Sequence, residues 1–365
     1  MGSSIVLSGG SGFLGWHIRV LVRALGLPAP TLLSRDDFAT PARLAGILDG
    51  ADRVLHVAGV NRGTPAEVKE GNETAARALA TAIQQCATPP KTVVFANSTQ
   101  AGNGTPYGDS KAAAAGTMED ATRWCGSQFV DLRLPNLFGE HGRPHYNSVV
   151  ATFCRTLADG GAPQVQEDRI LDLVYVQDAA RALLGLAEAD LVPARRSVVD
   201  LKATLSGYAE TYRKTEIPAL EGPFGLRLFN TYRSHCFPAH YPMPLPRHED
   251  ARGGLVEAVK AHGQGGQAFF STTRPGVTRG EHFHLSKVER FVVVKGEAEI
   301  RLRRVLHDEV TTFRVTGDEP AVVDMPTMWV HNITNVGTDD LLTLFWTNEI
   351  FDPARPDTYP EQVSP

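Results

Sequence analysis

The sequence predicts two architectures in tandem, an α/β unit built on a parallel sheet and, behind it, an all-β barrel. Three observations predict this. Strand-like and helix-like segments alternate through the first half, a proline-dense stretch interrupts the chain near residue 237, and period-two apolar runs fill the C-terminal third.

In the first half, Ile5-Val6-Leu7 reads as a strand running into a glycine-rich turn, and His17 to Leu25 as a helix. Thr31-Leu32-Leu33 and Val54-Leu55-His56-Val57 are strands, and the Ala-rich stretch from Thr74 to Cys86 is helical. Thr92-Val93-Val94-Phe95 is a strand, Lys111 to Trp124 a helix, and Phe129-Val130-Asp131-Leu132 a strand again. This βαβα order implies a parallel sheet covered by helices on both faces. Phe237 to Pro246 then places four prolines in ten residues, which suits a linker. Beyond it, Phe291 to Val294, Ala298 to Leu302, Ala321 to Val323 and Leu341 to Trp346 alternate as barrel strands. The expected division is 1–243 and 244–365, and a length of 365 residues suits two domains.

Composition narrows the function classes. With 42% hydrophobic and 21% charged residues the chain is globular, and a net charge of −5 offers no basic field for nucleic acid. No apolar run approaches the roughly 20 residues that span a bilayer, so no membrane partner is expected. The first strand starts at Ile5, which leaves no room for a signal peptide and predicts a cytoplasmic protein. Cys86, Cys125, Cys154 and Cys236 are scattered and are expected as free thiols.

Ser8-Gly9-Gly10-Ser11-Gly12-Phe13-Leu14-Gly15 joins the first strand to the first helix. Gly9 and Gly12 permit a tight turn against a pyrophosphate, Gly15 allows close helix–sheet packing, and Phe13 and Leu14 open the helix whose N–H groups face the phosphates. This is a Rossmann-type dinucleotide site. The second strand ends Leu33-Ser34-Arg35, a hydroxyl and a guanidinium suited to a 2′-phosphate, so NADPH is expected over NADH. Asp36 and Asp37 come directly after, and a shift of one residue would bring in an acid.

Tyr107-Gly108-Asp109-Ser110-Lys111 sets a phenol and an ammonium four residues apart on one helix face. The ammonium is expected to draw the phenol's pKa down, so that Tyr107 can pass a proton at a carbonyl while nicotinamide moves hydride. Ser98 can hydrogen-bond the same oxygen. The combination resembles the extended short-chain dehydrogenase/reductases. His56-Val57-Ala58-Gly59 also matches, Ala58 and Gly59 falling beside the nicotinamide, as do Asn72 and the run Arg133-Leu134-Pro135-Asn136-Leu137-Phe138-Gly139. In that family the last segment binds the nucleotide-sugar substrate, which points to Arg133 and Asn136. Sugar 4,6-dehydratases of the family carry an Asp-Glu pair after the serine. Here Thr99-Gln100-Ala101 takes that place, which argues against elimination. Many relatives also place an arginine seven residues before the aspartate that Asp178 matches, where this chain has Leu171.

In the second half, His282 and His284 share a strand face, with Glu289 and His331 on neighbouring strands. Three imidazoles and a carboxylate suit Zn, Fe, Mn or Ni, with Zn expected. The pattern Gly276-x5-His282-x-His284-x4-Glu289-x6-Gly296, with Pro326-x4-His331-x3-Asn335, matches both cupin motifs.

Both halves together resemble the bifunctional enzymes of capsular polysaccharide and O-antigen synthesis of the CapF/WbjC type. The resemblance runs through Ala58-Gly59-Val60-Asn61-Arg62, Tyr146-Asn147-Ser148-Val149, Asp250-Ala251-Arg252-Gly253 and Asn348-Glu349-Ile350-Phe351-Asp352-Pro353. It implies an oxidoreductase and isomerase acting on a UDP-activated 2-acetamido-2,6-dideoxy-4-hexulose. The cupin would invert C3 and the reductase would then reduce the C4 ketone with NADPH, giving a UDP-2-acetamido-2,6-dideoxy-L-talose. The order is chemically required, because the ketone acidifies the C3 hydrogen and reduction removes it. Glu281, Lys287 and a water on the metal are the candidate proton carriers, and Asn147 and Arg252 candidate substrate contacts. The alternative is a 4-ketosugar reductase whose cupin only binds sugar or holds a dimer together. A barrel with dioxygenase activity is a third. A homodimer or higher homo-oligomer is expected from the resemblance and from barrel edges that need cover.

Overall fold

The computed structural model describes residues 4–186, 191–263 and 265–364. Its elements begin β1 (Ile5–Ser8), α1 (Phe13–Ala24), β2 (Thr31–Leu33), α2 (Pro41–Leu48), β3 (Arg53–His56) and α3 (Pro65–Gln85). Then come β4 (Thr92–Ser98), α4 (Pro106–Cys125), β5 (Gln128–Leu134), β6 (Asn136–Phe138), α5 (Val149–Ala158), β7 (Ile170–Tyr175) and α6 (Val176–Leu184). Next are β8 (Ala194–Ser197), α7 (Val198–Tyr212), α8 (Gly222–Cys236), β9 (Met243–Pro244), β10 (Arg247–Asp250) and β11 (Gly253–Val256). The chain ends in β12 (Gln267–Thr273), β13 (Thr278–Phe283), β14 (Glu289–Lys295), β15 (Glu297–Arg304), β16 (Val310–Thr316), β17 (Ala321–Met325), β18 (Trp329–Asn335), β19 (Leu341–Thr347) and β20 (Tyr359–Pro360). Two compact units emerge, residues 1–137 with 171–195, and residues 138–170 with 196–365.

The first unit holds a parallel sheet in the order β2-β1-β3-β4-β5. Its inner strand β4 is buried along its whole length, as a strand covered on both faces must be. Leu44, Leu48, Val54, Leu79, Ile83, Val93, Phe95 and Met118 form one core cluster against it. Two helices start earlier than the apolar pattern suggests. α3 begins at Pro65 because Thr64 and Glu67 close a capping box, and α4 begins at Pro106 because Thr105 caps the amide of Gly108. Strand order reverses between β1 and β3, and such a switch point opens a ligand crevice at the strands' carboxyl ends.

The second unit carries two antiparallel five-stranded sheets, β12-β19-β14-β17-β9 and β16-β15-β18-β13-β20. This is the cupin-like all-β region that the sequence predicts. The helices α5, α7 and α8 belong to the same unit. A buried network ties two of them to β17 and β14. Tyr212 of α7 donates to Asp324 Oδ2 at 2.7 Å and also meets the hydroxyl of Tyr241. Arg290 grips both oxygens of Asp324 at 2.7 and 2.9 Å, and Arg233 of α8 reaches the carbonyl of Met325.

Candidate active sites

The first site forms at the carboxyl ends of β1, β3 and β4. Gly9 adopts φ +70°, and a Cβ there would stand 2.7 Å from the amide nitrogen of Ala58. A side chain on Gly15 would collide with the carbonyl of Gly9. Any residue but glycine at either position would thus push the loop away from the sheet. Phe13 and Leu14 are the first residues of α1, Leu14 buried. At the switch point, Ser8 Oγ accepts the amide N–H groups of Val57 and Ala58 at 3.0 and 3.1 Å. Both its lone pairs are then engaged, so its hydroxyl donates to His56 Nδ1 at 2.8 Å and fixes the Nε2–H tautomer. Burial and the nearby Lys111 lower the pKa of His56 to about 3. Asn72 pins the loop after β3 by accepting from Val60 N and donating to Val60 O, both at 2.9 Å.

Ser98, Tyr107 and Lys111 come together here. Ser98, ending β4, is buried and hydrogen-bonded to the phenol of Tyr107. Lys111 is buried, donates to the carbonyl of Ala96 at 2.7 Å and lies 3.9 Å over the ring of Phe95. The expected depression of the phenol is not found. Burial raises the pKa of Tyr107, and its bond to Ser98 opposes only part of that. The reason lies with the partner, because burial lowers the pKa of Lys111 to about 7, with Asp131 opposing. A lysine so desolvated is only partly charged near pH 7 and draws the phenol down less.

At the end of β2, the amide and hydroxyl of Ser34 both donate to Asp37 Oδ2, at 2.7 and 2.6 Å. Arg43 lies 2.8 Å from the other oxygen of that carboxylate. The hydroxyl expected at a 2′-phosphate thus spends its proton on a neighbouring acid. Arg35 is exposed, the backbone of Ala58 lies close against Gly9, and a Cβ on Gly59 would stand 3.3 Å from Asn72 Oδ1. Arg133 is exposed and paired with Asp131 at 3.2 Å, and Asn136 donates to the carbonyl of Asp172 at 3.4 Å.

The second site lies in the barrel. His282, His284, Glu289 and His331 bring one ligand atom each within 4.8 Å of one another. His282 and His331 are register partners on β13 and β18, and Glu289 opens β14 in the facing sheet. Two rings share a geometry that tests their fitness for a cation. His284 Nδ1 faces the carbonyl of Asp357 at 2.5 Å, and His331 Nδ1 that of Trp329 at 3.0 Å. Carbonyls only accept, so both Nδ1 atoms carry hydrogen. Both Nε2 atoms then converge on Glu289 Oε2, at 3.0 and 3.2 Å. Lone pairs facing a carboxylate need positive charge between them, either protons or a metal ion. The donor set therefore fits a divalent cation. Burial resists charge on His284 and Glu289 alike, yet their contact outweighs it, raising the histidine's pKa and holding the carboxyl well below its usual range. His282 is half-buried, and desolvation, with the neighbouring rings of His331 and His284, lowers its pKa to about 3.

The other barrel candidates stand differently. Glu281, at φ +64° in a β-bulge next to His282, has its carboxylate taken by Asn332 Nδ2 and Val363 N, each at 2.6 Å. Lys287 is buried and donates to the carbonyl of Pro356 at 2.8 Å. Arg252, in the exposed turn between β10 and β11, grips Asp250 at 2.5 Å, and Asn147 is exposed just before α5. Sequence reasoning missed two groups. Asp357 holds the loop after His284, and Glu349 has its pKa raised by burial and by Asp357, with Lys287 and His284 acting against the rise. Only the run Asn348 to Pro353 touched that region.

Residues 5–199 match the NAD dependent epimerase/dehydratase family, and the chain belongs to it. Residues 248–359 match the polysaccharide biosynthesis C-terminal domain. Over 97% of both chains it is 32% identical to UDP-2-acetamido-2,6-beta-L-arabino-hexul-4-ose reductase of Pseudomonas aeruginosa. The crystal structure of the capsular polysaccharide assembling protein CapF from Staphylococcus aureus superposes with a TM-score of 0.58 at 30% identity, covering 99% of this chain and all of that one. A UDP-N-acetylglucosamine 4-epimerase from Methanobrevibacter ruminantium, 20% identical with a TM-score of 0.53 over 64% of this chain and 98% of its own, shares the fold. Among the described residues no helix is long and apolar enough to cross a membrane.

Proposed function

We propose that this chain is a bifunctional nucleotide-sugar enzyme. The barrel inverts C3 of a UDP-2-acetamido-2,6-dideoxy-4-hexulose, and the front domain reduces its C4 ketone to give a UDP-2-acetamido-2,6-dideoxy-L-talose. The observation that carries this reading is the presence, on one chain, of a Ser98–Tyr107–Lys111 site with buried serine and lysine and an imidazole–carboxylate cluster of which three members are buried. Full-length similarity to a UDP-hexulose reductase supports the substrate class.

In the reductase, bound nicotinamide supplies the hydride to C4. Tyr107 gives its phenolic proton to the developing alkoxide, Ser98 donates a hydrogen bond to the same oxygen, and Lys111 supports the phenolate left behind. Arg133 and Asn136 would hold the sugar nucleotide. In the barrel, a cation held by His282, His284, Glu289 and His331 would supply positive charge for the enolate formed when the C3 hydrogen leaves. The proton carrier there is proposed to be Lys287 before Glu281, because the Glu281 carboxylate already accepts from Asn332 and Val363. Arg252 and Asn147 are proposed substrate contacts.

Arg35 at the end of β2 supports NADPH over NADH, although the carboxylate of Asp37 on Ser34 weighs against it. Zn is the proposed metal, from the nitrogen-rich donor set. The functional division is proposed at 1–243 and 244–365, in the cytoplasm. A homodimer is proposed because β12 is an edge strand carrying the exposed Phe269 and Phe270, with Phe351 tied to it through Gln267.

The test supplies the 4-keto sugar with and without NADPH. C3 should take up solvent deuterium without NADPH, and NADPH should be consumed when present. Tyr107→Phe should cut NADPH consumption by about 100-fold or more while C3 exchange continues. A barrel that only binds sugar would give reduction with no exchange.

A further inference from the structure

We infer that Asp357, in the C-terminal segment, is a positioning residue of the barrel's cation site. This rests on the proposed reading of that cluster. Asp357 acts twice. Its main-chain carbonyl takes the Nδ1 hydrogen of His284 at 2.5 Å and so turns Nε2 toward Glu289. Its carboxylate gathers the loop that comes after His284, accepting from Leu285 N at 3.0 Å, Ser286 N at 2.9 Å, Ser286 Oγ at 3.0 Å and Lys287 N at 2.8 Å. The two halves are coupled, because the carboxylate fixes where the carbonyl of the same residue stands. The backbone of Asp357 is left-handed, at φ +41°, a conformation that Asp and Asn tolerate better than other side chains.

The segment around it is fastened on both sides. Before Asp357, Lys287 Nζ binds the carbonyl of Pro356 at 2.8 Å. After it, β20 pairs with β13 at His282 itself and at Phe283, the residue before His284. Further on, Val363 is buried, its amide donating to Glu281 Oε2 at 2.6 Å and its carbonyl accepting from Arg303 Nε at 2.8 Å. Glu281 sits beside His282, and Asn332, which also holds it, sits beside His331. The C-terminal segment therefore sets the orientation of the site from behind. A ligating histidine whose far nitrogen loses its acceptor binds metal roughly 10- to 100-fold more weakly.

The experiment titrates the full-length, metal-stripped protein with Zn against a chromogenic chelator, with no substrate present. Wild type should take up one equivalent. Asp357→Ala, which loses both the carboxylate and the left-handed preference, should bind roughly 10- to 100-fold more weakly, with the melting temperature of the metal-free protein little changed. Asp357→Asn keeps the backbone preference and one acceptor oxygen and should recover most of the affinity. A second readout is the 15N signal of the His284 ring, where the Nδ1–H tautomer should be lost in Asp357→Ala and kept in Asp357→Asn. Unaltered affinity and tautomer in Asp357→Ala overturn the inference. Should Asp357→Ala not fold, Asp357→Gly decides, since it keeps the left-handed backbone and loses only the carboxylate, and unaltered affinity there overturns the inference. A folded wild type that takes up no metal removes the cluster reading itself, a different result.

Discussion

The ammonium of Lys111 donates to the carbonyl of Ala96 across 2.7 Å, buried beneath the ring of Phe95. Burial brings its pKa down to about 7, so the folded chain sheds this proton far below the ordinary lysine range. From pH 7 to about 10 the unfolded chain holds the extra proton, and stability without dinucleotide should rise with pH across that window. Below pH 7 the cost of the buried charge is fully present. Lys111→Met should therefore stabilise the dinucleotide-free protein at pH 6, by roughly 1–3 kcal/mol, with the gain fading by pH 10. Melting temperatures of both proteins from pH 6 to 10 check this, and a difference independent of pH would contradict it.

His56 gives a slope at the acid end. Buried, and an acceptor from Ser8, it stays neutral in the folded chain down to about pH 3, whereas the unfolded chain protonates it near pH 6.5. The unfolded state binds the extra proton between those values, so stability should fall as pH drops from 6.5 toward 3. His56→Asn keeps an acceptor for Ser8 without the titration. Acid-unfolding curves should show a shallower decline for this variant, and parallel curves would exclude His56 as a source of the slope.

Sequence made the two clusters legible because each has members close along the chain. Tyr107 and Lys111 share one helix turn, and His284 comes two residues after His282, which stands near the end of β13, so spacing alone brings them together. The features that stayed hidden depend on distant contacts. The membership of α7 and α8 in the barrel's compact unit rests on Tyr212 with Asp324 and Arg233 with Met325, pairs separated by 112 and 92 residues. Asp357 is hidden for the same reason, lying 73 residues from the histidine it orients. Glu281 shows how far placement can depart from sequence proximity. It is next to His282 in sequence, but a bulge and a positive φ direct its carboxylate to Asn332 and the C-terminal segment. The capping box at Thr64 and Glu67 was readable as a helix start, and the apolar pattern alone placed that start too late.

Asp324 and Arg290 are both wholly inaccessible to solvent, and each is the other's main charge partner. Removing one strands the other in the interior, which costs about 3–5 kcal/mol. Asp324→Ala also deprives Tyr212 of its acceptor. This variant should melt well below wild type, and α7 should become protease-sensitive in proportion. Arg290→Met with Asp324→Leu, which removes both charges, should recover part of the loss. A single variant as stable as wild type would mean the network carries no net stability.

Two candidate proton carriers stand beside the histidine–carboxylate cluster, and their hydrogen bonds set them apart. Glu281 accepts two short hydrogen bonds, from a side-chain amide and a main-chain amide, and its role as placed is to fasten Asn332 and Val363. Glu281→Gln keeps one acceptor oxygen and should lower the melting temperature while leaving solvent-deuterium exchange at C3 within a few-fold of wild type. Lys287 is held by a single carbonyl, that of Pro356, and has further N–H groups to give. Lys287→Met should reduce the exchange by about 100-fold, the usual size of a lost acid–base group, with folding intact by circular dichroism. Exchange that survives Lys287→Met and vanishes in Glu281→Gln would reverse the assignment. In that case the carboxylate must leave Asn332 and Val363 when sugar binds, and the C-terminal segment would move with it.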